Sequence, residues 1–151
     1  MNRIFRYIGI GCVVLMGGAF VLLKDTRGTT PTFGGTPIVL EYALSPEERE
    51  KGLGGRDTLK DTEGMLFVFP ESKYYGFWMK ETHVPLDIFW LDDKGHVLCI
   101  HKNVDPSSYP TVFYPSVPAR YVLEFTAGFA DKNHIEEGAE LKLPYFPIVS
   151  K

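Results

Sequence analysis

Seven short apolar runs, each closed by glycine, proline or a polar cluster, limit what the chain can fold into more than any other feature. They are "IVLEYAL", "GMLFVFP", "YYGFWMKET", "LDIFWLDD", "HVLCIHKNV", "RYVLEFTA" and "ELKLPYF". Each is too short for a packed helix of ordinary length and rich in Val, Ile, Phe, Tyr and Trp, which suit a half-buried pleated surface. The pattern predicts a mainly β domain: a single compact antiparallel barrel or sandwich-like fold with one or two short helices.

One helix is well signalled. In "SPEEREKG" Ser45 supplies the N-cap, Pro46 the first helical position and Glu48 the return arm of a capping box, with Gly52 past the end. A second short helix is expected between Gly128 and Gly138, and a turn at Asp93 to Gly95.

The 151 residues suffice for one domain and not for two. Upstream of it lies an apolar run from Ile8 to Leu23, preceded by Arg3 and Arg6 and followed by Lys24. At helical rise the run covers about 24 Å, and about 30 Å from Ile4 with Arg6 snorkelling, enough to cross a hydrocarbon core. No small-x-small cleavage pattern follows it, so residues 1–24 are expected to form an N-terminal transmembrane helix, with a cleaved signal sequence as the alternative. Arg3 and Arg6 favour a cytoplasmic amino terminus and an extracytoplasmic, periplasmic domain, or a secreted one after cleavage. "GIGC" at Cys12 has too few apolar residues before it for a lipoprotein site. Residues 25–37, rich in Thr, Gly and Pro, read as a flexible linker, and 38–151 as the domain.

Charge excludes one class of partner. The net charge is -3, and no block of Lys and Arg marks the soluble part, so nucleic acid is not expected.

"SPEEREKGLGGRDTL" (45–59), "GMLFVF" (64–69), "FWMKETHVPLDIFWL" (77–91), "YVLEFTAG" (121–128) and the Gly138 region occur in the order of a known family. In these stretches the chain resembles the domain of unknown function 192 family. The resemblance implies a compact, mostly β fold, often secreted or membrane-anchored, and implies no reaction. Two positions depart from the family pattern: Gly54 where Met is usual after the Gly-Leu pair, and Glu81 where Asn is usual after the Met-Lys pair.

Chemistry therefore rests on the residues. If the chain turns at Thr82 to Pro85 between two strands, Lys80 falls opposite Asp87 and Trp78 opposite Phe89, giving an ion pair at the edge of an apolar face. Such a pair either fixes hairpin register or floors a polar pocket. Arg56, after Gly54 and Gly55, could meet an anion or simply pair with a surface carboxylate. Glu124 shares a strand face with Arg120, Val122 and Thr126.

Nucleophilic chemistry has little support: no serine sits in a nucleophile elbow, and Cys99 in "VLCIH" reads as a small core residue. Cys99 and His101 on one strand do not make a zinc site, and Met65, Met79, Trp78 and His83 suit copper(I) less well than they suit core filling. No metal or cofactor is expected. The reading is a membrane-tethered binding module for a small polar or anionic ligand, or a protein partner, at Arg56, Lys80, Asp87, Glu124 and Trp78. The alternative is a hydrolase or lyase with Asp87 or Glu124 as acid or base and Lys80 and Arg56 stabilising negative charge.

Overall fold

The computed structural model describes residues 30–150, so the expected anchor over 1–24 lies outside them. Among the described residues no helix is long and apolar enough to cross a membrane.

The described residues form eight strands in two sheets: β1 (Thr32–Phe33), β2 (Thr36–Pro37), β3 (Val39–Ala43), β4 (Glu63–Lys73), β5 (Leu86–Leu91), β6 (Val97–Val104), β7 (Ala119–Thr126) and β8 (Leu141–Lys142). The larger sheet runs β3-β4-β7-β5-β6 and the smaller β2-β1-β8. The fold is thus mainly β and sandwich-like, with few short helices and no closed barrel. It also departs from a purely antiparallel arrangement, because β3 pairs with β4 in parallel. Helix α1 (Pro46–Lys51) supplies the crossover, opened by the expected capping box: Ser45 Oγ accepts from the Glu48 amide while the Glu48 carboxylate accepts from the Ser45 amide. The second helix, α2 (Phe129–Lys132), is only one turn long.

Residues 32–37, read from composition as tether, contribute two strands. Phe33 explains why: its ring is fully buried, edge-on to Phe89 and stacked with Phe125 and Phe129. Burying one such ring contributes about 1.5–3 kcal/mol, and the backbone pairing of β1 with β2 and β8 adds to it in ordering the segment.

Both faces of the larger sheet are buried. On one, Leu66, Phe89, Leu91, Leu123 and Phe125 pack against Phe33 and Leu141 of the smaller sheet. On the other, Met65, Phe67, Ile88, Trp90 and Val122 have no second sheet of described residues above them; Leu53, Phe77 and Met79 from connecting segments cover them instead. A cover made of loops is less continuous than a sheet, and the cleft described below opens through it.

The expected hairpin between residues 77–81 and 86–91 does not form. Strand β5 pairs with β6 on one edge and β7 on the other, so no edge remains for the preceding segment. Phe77 instead exchanges both backbone hydrogen bonds with Phe113. The chain then turns, with the Thr82 amide donating to the Met79 carbonyl and Glu81 at a φ of 55°. Phe89 therefore lies in the core under the smaller sheet, while Trp78 stands at the surface.

Candidate functional site

Glu124 occupies the middle of the central strand β7, flanked in register by Met65 on β4 and Ile88 on β5. Period-2 alternation sets it between Val122 and Thr126 on the loop-covered face, a position its neighbours fill with apolar groups. It is 4% exposed. Neither a hydrogen bond nor an ion pair joins its carboxyl to another described residue, and its oxygens are not sealed in protein but reach a cleft. Burial without compensation disfavours the charged form and pushes the carboxyl up to about 8.

The cleft holds about 260 Å³. One wall is aromatic: Phe69 and Tyr75 are stacked at 3.5 Å between centroids, and Phe77 meets Phe67 edge-on at 4.8 Å. Trp90 holds this wall from behind by donating its indole N–H to the Tyr75 carbonyl. The end of α1, with Arg49, Glu50 and Lys51, and the residues Lys80 and Thr82 also line the cleft. Arg49 is committed elsewhere, since its guanidinium donates to the Leu44 and Val68 carbonyls and lies over the Phe69 ring. Lys51 and Lys80 make no ion pair with any described residue, and both are exposed.

Of the residues singled out by sequence, Trp78, Lys80 and Glu124 line this one cleft. Asp87 does not. Its side chain points to the other face of β5, is fully buried and accepts from the Asn103 and Ala130 amides at 2.8 Å each. The supposed Lys80–Asp87 pair is thus absent; the carboxylate instead joins β6 to α2. Arg56 lies outside the cleft lining, held by Glu41 through two hydrogen bonds of 2.6 and 2.7 Å. That contact, more than any other, raises its already high pKa. Sequence reasoning missed Arg49, Lys51, Phe69, Tyr75 and Phe77 as cleft residues. The aromatic density of 67–78 hinted at the last three alone, because periodicity does not say which loops cover which face.

Glu81 is now explicable. It is a non-glycine residue in the left-handed region, and its carbonyl accepts from the Gly55 amide at 2.7 Å, tying the loop after α1 to the segment that carries Lys80. Asn tolerates that conformation better than Glu, which accounts physically for Asn being usual there.

Cys99 is half-buried opposite Trp90. Met65 and Met79 are core residues. Among the described residues no cluster of three or more His, Cys, Asp or Glu is placed to hold a metal ion.

A family model described as Uncharacterized ACR, DUF192, matches residues 29–143. Two solved structures are similar in both sequence and fold. One, from Sinorhizobium meliloti 1021 and described as a "putative transcription regulator", is 34% identical over 70% of this chain and 81% of its own, with a TM-score of 0.67. The other, a protein of unknown function from Novosphingobium aromaticivorans DSM 12444, is 32% identical over 75% of this chain and 83% of its own, with a TM-score of 0.70. No curated protein matches. The chain belongs to the DUF192 family.

Proposed function

We propose that this DUF192 protein is a membrane-tethered, extracytoplasmic binding module whose cleft takes one small polar ligand against Glu124. The observation that carries the reading is the carboxyl itself, 4% exposed, without a partner among the described residues and open to a concavity. A buried polar group without a hydrogen bond costs about 1–3 kcal/mol, and a ligand that supplies the bond recovers that cost as affinity. The cleft volume, slightly below that of drug-sized sites, suits a single ring with a polar substituent.

The tether rests on the apolar run Ile8–Leu23 and its flanking Arg3 and Arg6. A role in transcription, suggested by the description of the Sinorhizobium structure, gains nothing from a chain of net charge -3 without a basic block.

The enzymatic alternative is favoured by one feature, a carboxyl that holds its proton near neutrality and could act as a general acid. Of its other members Lys80 lines the cleft, but Asp87 is bound by backbone amides and Arg56 by Glu41. Binding is therefore the better reading.

The test is a fragment screen by ¹H–¹⁵N NMR on the full-length chain in detergent micelles. Ligands are expected to perturb Gly52, Leu53, Tyr75, Phe77 and Thr82 together. Ligands that perturb only residues remote from the cleft, such as those of the smaller sheet, would refute it.

A further inference from the structure

The cleft's charges are arranged in depth. Elements packed around Glu124 present few ionisable groups to it: β4 and β5 offer Met65, Phe67 and Ile88, and the aromatic wall offers only Tyr75. On its own strand Arg120, two positions beyond Val122, is turned away to the Pro70 carbonyl. Nearer the mouth stand Arg49, Glu50 and Lys51 from α1 and Lys80 from the following loop. Three cations against Glu50 make the mouth net positive, and the two lysines form no ion pair with a described residue. A cationic ligand would have to pass these lysines, whereas an anionic one would be drawn in by them.

Such an anion would meet a second acid at the floor. If Glu124 were ionised, two negative charges would face each other in a poorly hydrated site with no cation between them. If it holds its proton, it is instead a donor, and a carboxyl-to-carboxylate hydrogen bond is of the short, charge-assisted kind. Tyr75 and Trp78, which line the same cleft, offer aromatic surface to a planar body.

We infer that the cleft takes a ring-bearing organic carboxylate and binds it together with one proton, which stays on the hydrogen bond between the ligand and Glu124. This rests on the cleft being the ligand site, as proposed above, and adds the ligand's class and the protonation state in which it binds. The same carboxyl's affinity for its proton near neutral pH, a consequence of burial, puts the effect within reach of ordinary buffers.

Benzoate serves as the probe and benzylamine as its cationic counterpart, titrated into the full-length chain in micelles with NMR readout at the cleft residues. The pH runs from about 6 to about 9.5, below the ordinary lysine range. For benzoate, affinity should be level at low pH and weaken about tenfold per pH unit once Glu124 ionises. In Glu124→Gln the slope should vanish, because the amide can donate but cannot titrate. In Lys51→Ala/Lys80→Ala, both surface changes, affinity should drop several-fold at every pH while the slope persists.

Benzoate affinity that is flat or rises with pH overturns the inference. So does benzylamine binding in the cleft with affinity that rises with pH while benzoate does not bind, although the cleft would then stand as a ligand site for cations. If neither probe moves any cleft residue while both perturb another region, the inference and the cleft reading fall together.

Discussion

Lys80 and Glu124 line the same cleft, yet they form no ion pair. The lysine remains at the surface and the carboxyl is buried, so among the described residues no counter-charge offsets the desolvation of the acid. Had they met, the acid would be ionised at neutral pH and the cleft would hold a satisfied pair rather than a free donor.

That separation gives a stability profile with a defined sign. The Glu124 pKa rises from 4.5 in the unfolded chain to about 8 in the folded one, so the folded state holds its proton more tightly. The stability this confers is fully present below the unfolded value, falls by about 1.4 kcal/mol per pH unit as pH rises between the two values, and levels off above the folded one. Glu124→Gln should flatten this decline and raise the urea midpoint most above pH 8. Urea denaturation of both proteins across that range checks it, and parallel profiles would exclude the effect.

Asp87 should matter for folding rather than for ligands. Its carboxylate is the acceptor for two backbone amides, one on β6 and one at the start of α2. In Asp87→Asn one of those amides faces an NH₂ group, at a cost of about 1–3 kcal/mol; Asp87→Ala leaves both without a protein partner and costs more. The urea midpoint should fall for both, with cleft chemical shifts unchanged in the asparagine variant.

At Glu81 a gain is expected. The left-handed backbone there strains any side chain with a Cβ, and Glu has no local hydrogen bond to compensate. Glu81→Gly or Glu81→Asn should stabilise the protein by about 0.5–1 kcal/mol, measured as a higher urea midpoint. A loss of stability on both changes would mean that the Glu side chain makes a contribution beyond its backbone.

Arg56 and Glu41 form a fork-like pair that is about a third exposed on each side chain. Solvent screening limits its coupling to about 1 kcal/mol or less, so a double-mutant cycle with Arg56→Ala and Glu41→Ala should return a small value that shrinks with added salt. Benzoate affinity should not change in either single variant, in contrast to Lys80→Ala.

Local signals were legible without coordinates. Ser45, Pro46, Glu48 and Gly52 specify α1 through chemistry confined to eight residues, and the structure has the helix between them. Five of the seven apolar runs overlap the strands of the larger sheet, since β-branched and aromatic content with close punctuation is also a local property. Membership of the DUF192 family was readable because several short stretches recur in one order.

Pairing was not local, and there the sequence misled. Leu86 to Leu91 are all buried, so the strand is covered on both faces and its alternation cannot indicate which segment lies beside it. Proximity in sequence suggested residues 77–81; the structure has β6 and β7 there instead, and Asp87 consequently turned from a partner of Lys80 into an anchor for two distant amides. Glu124 shows the same limit in another form. Its position on the Arg120, Val122 and Thr126 face followed from the period of two, but whether that face met water, a second sheet or a loop cover depended on contacts between segments far apart in the chain. By itself, then, the sequence determined the kinds of element, the capped helix and the family. Tertiary structure decided which charges are neighbours, because burial and register come from long-range packing that no short stretch encodes.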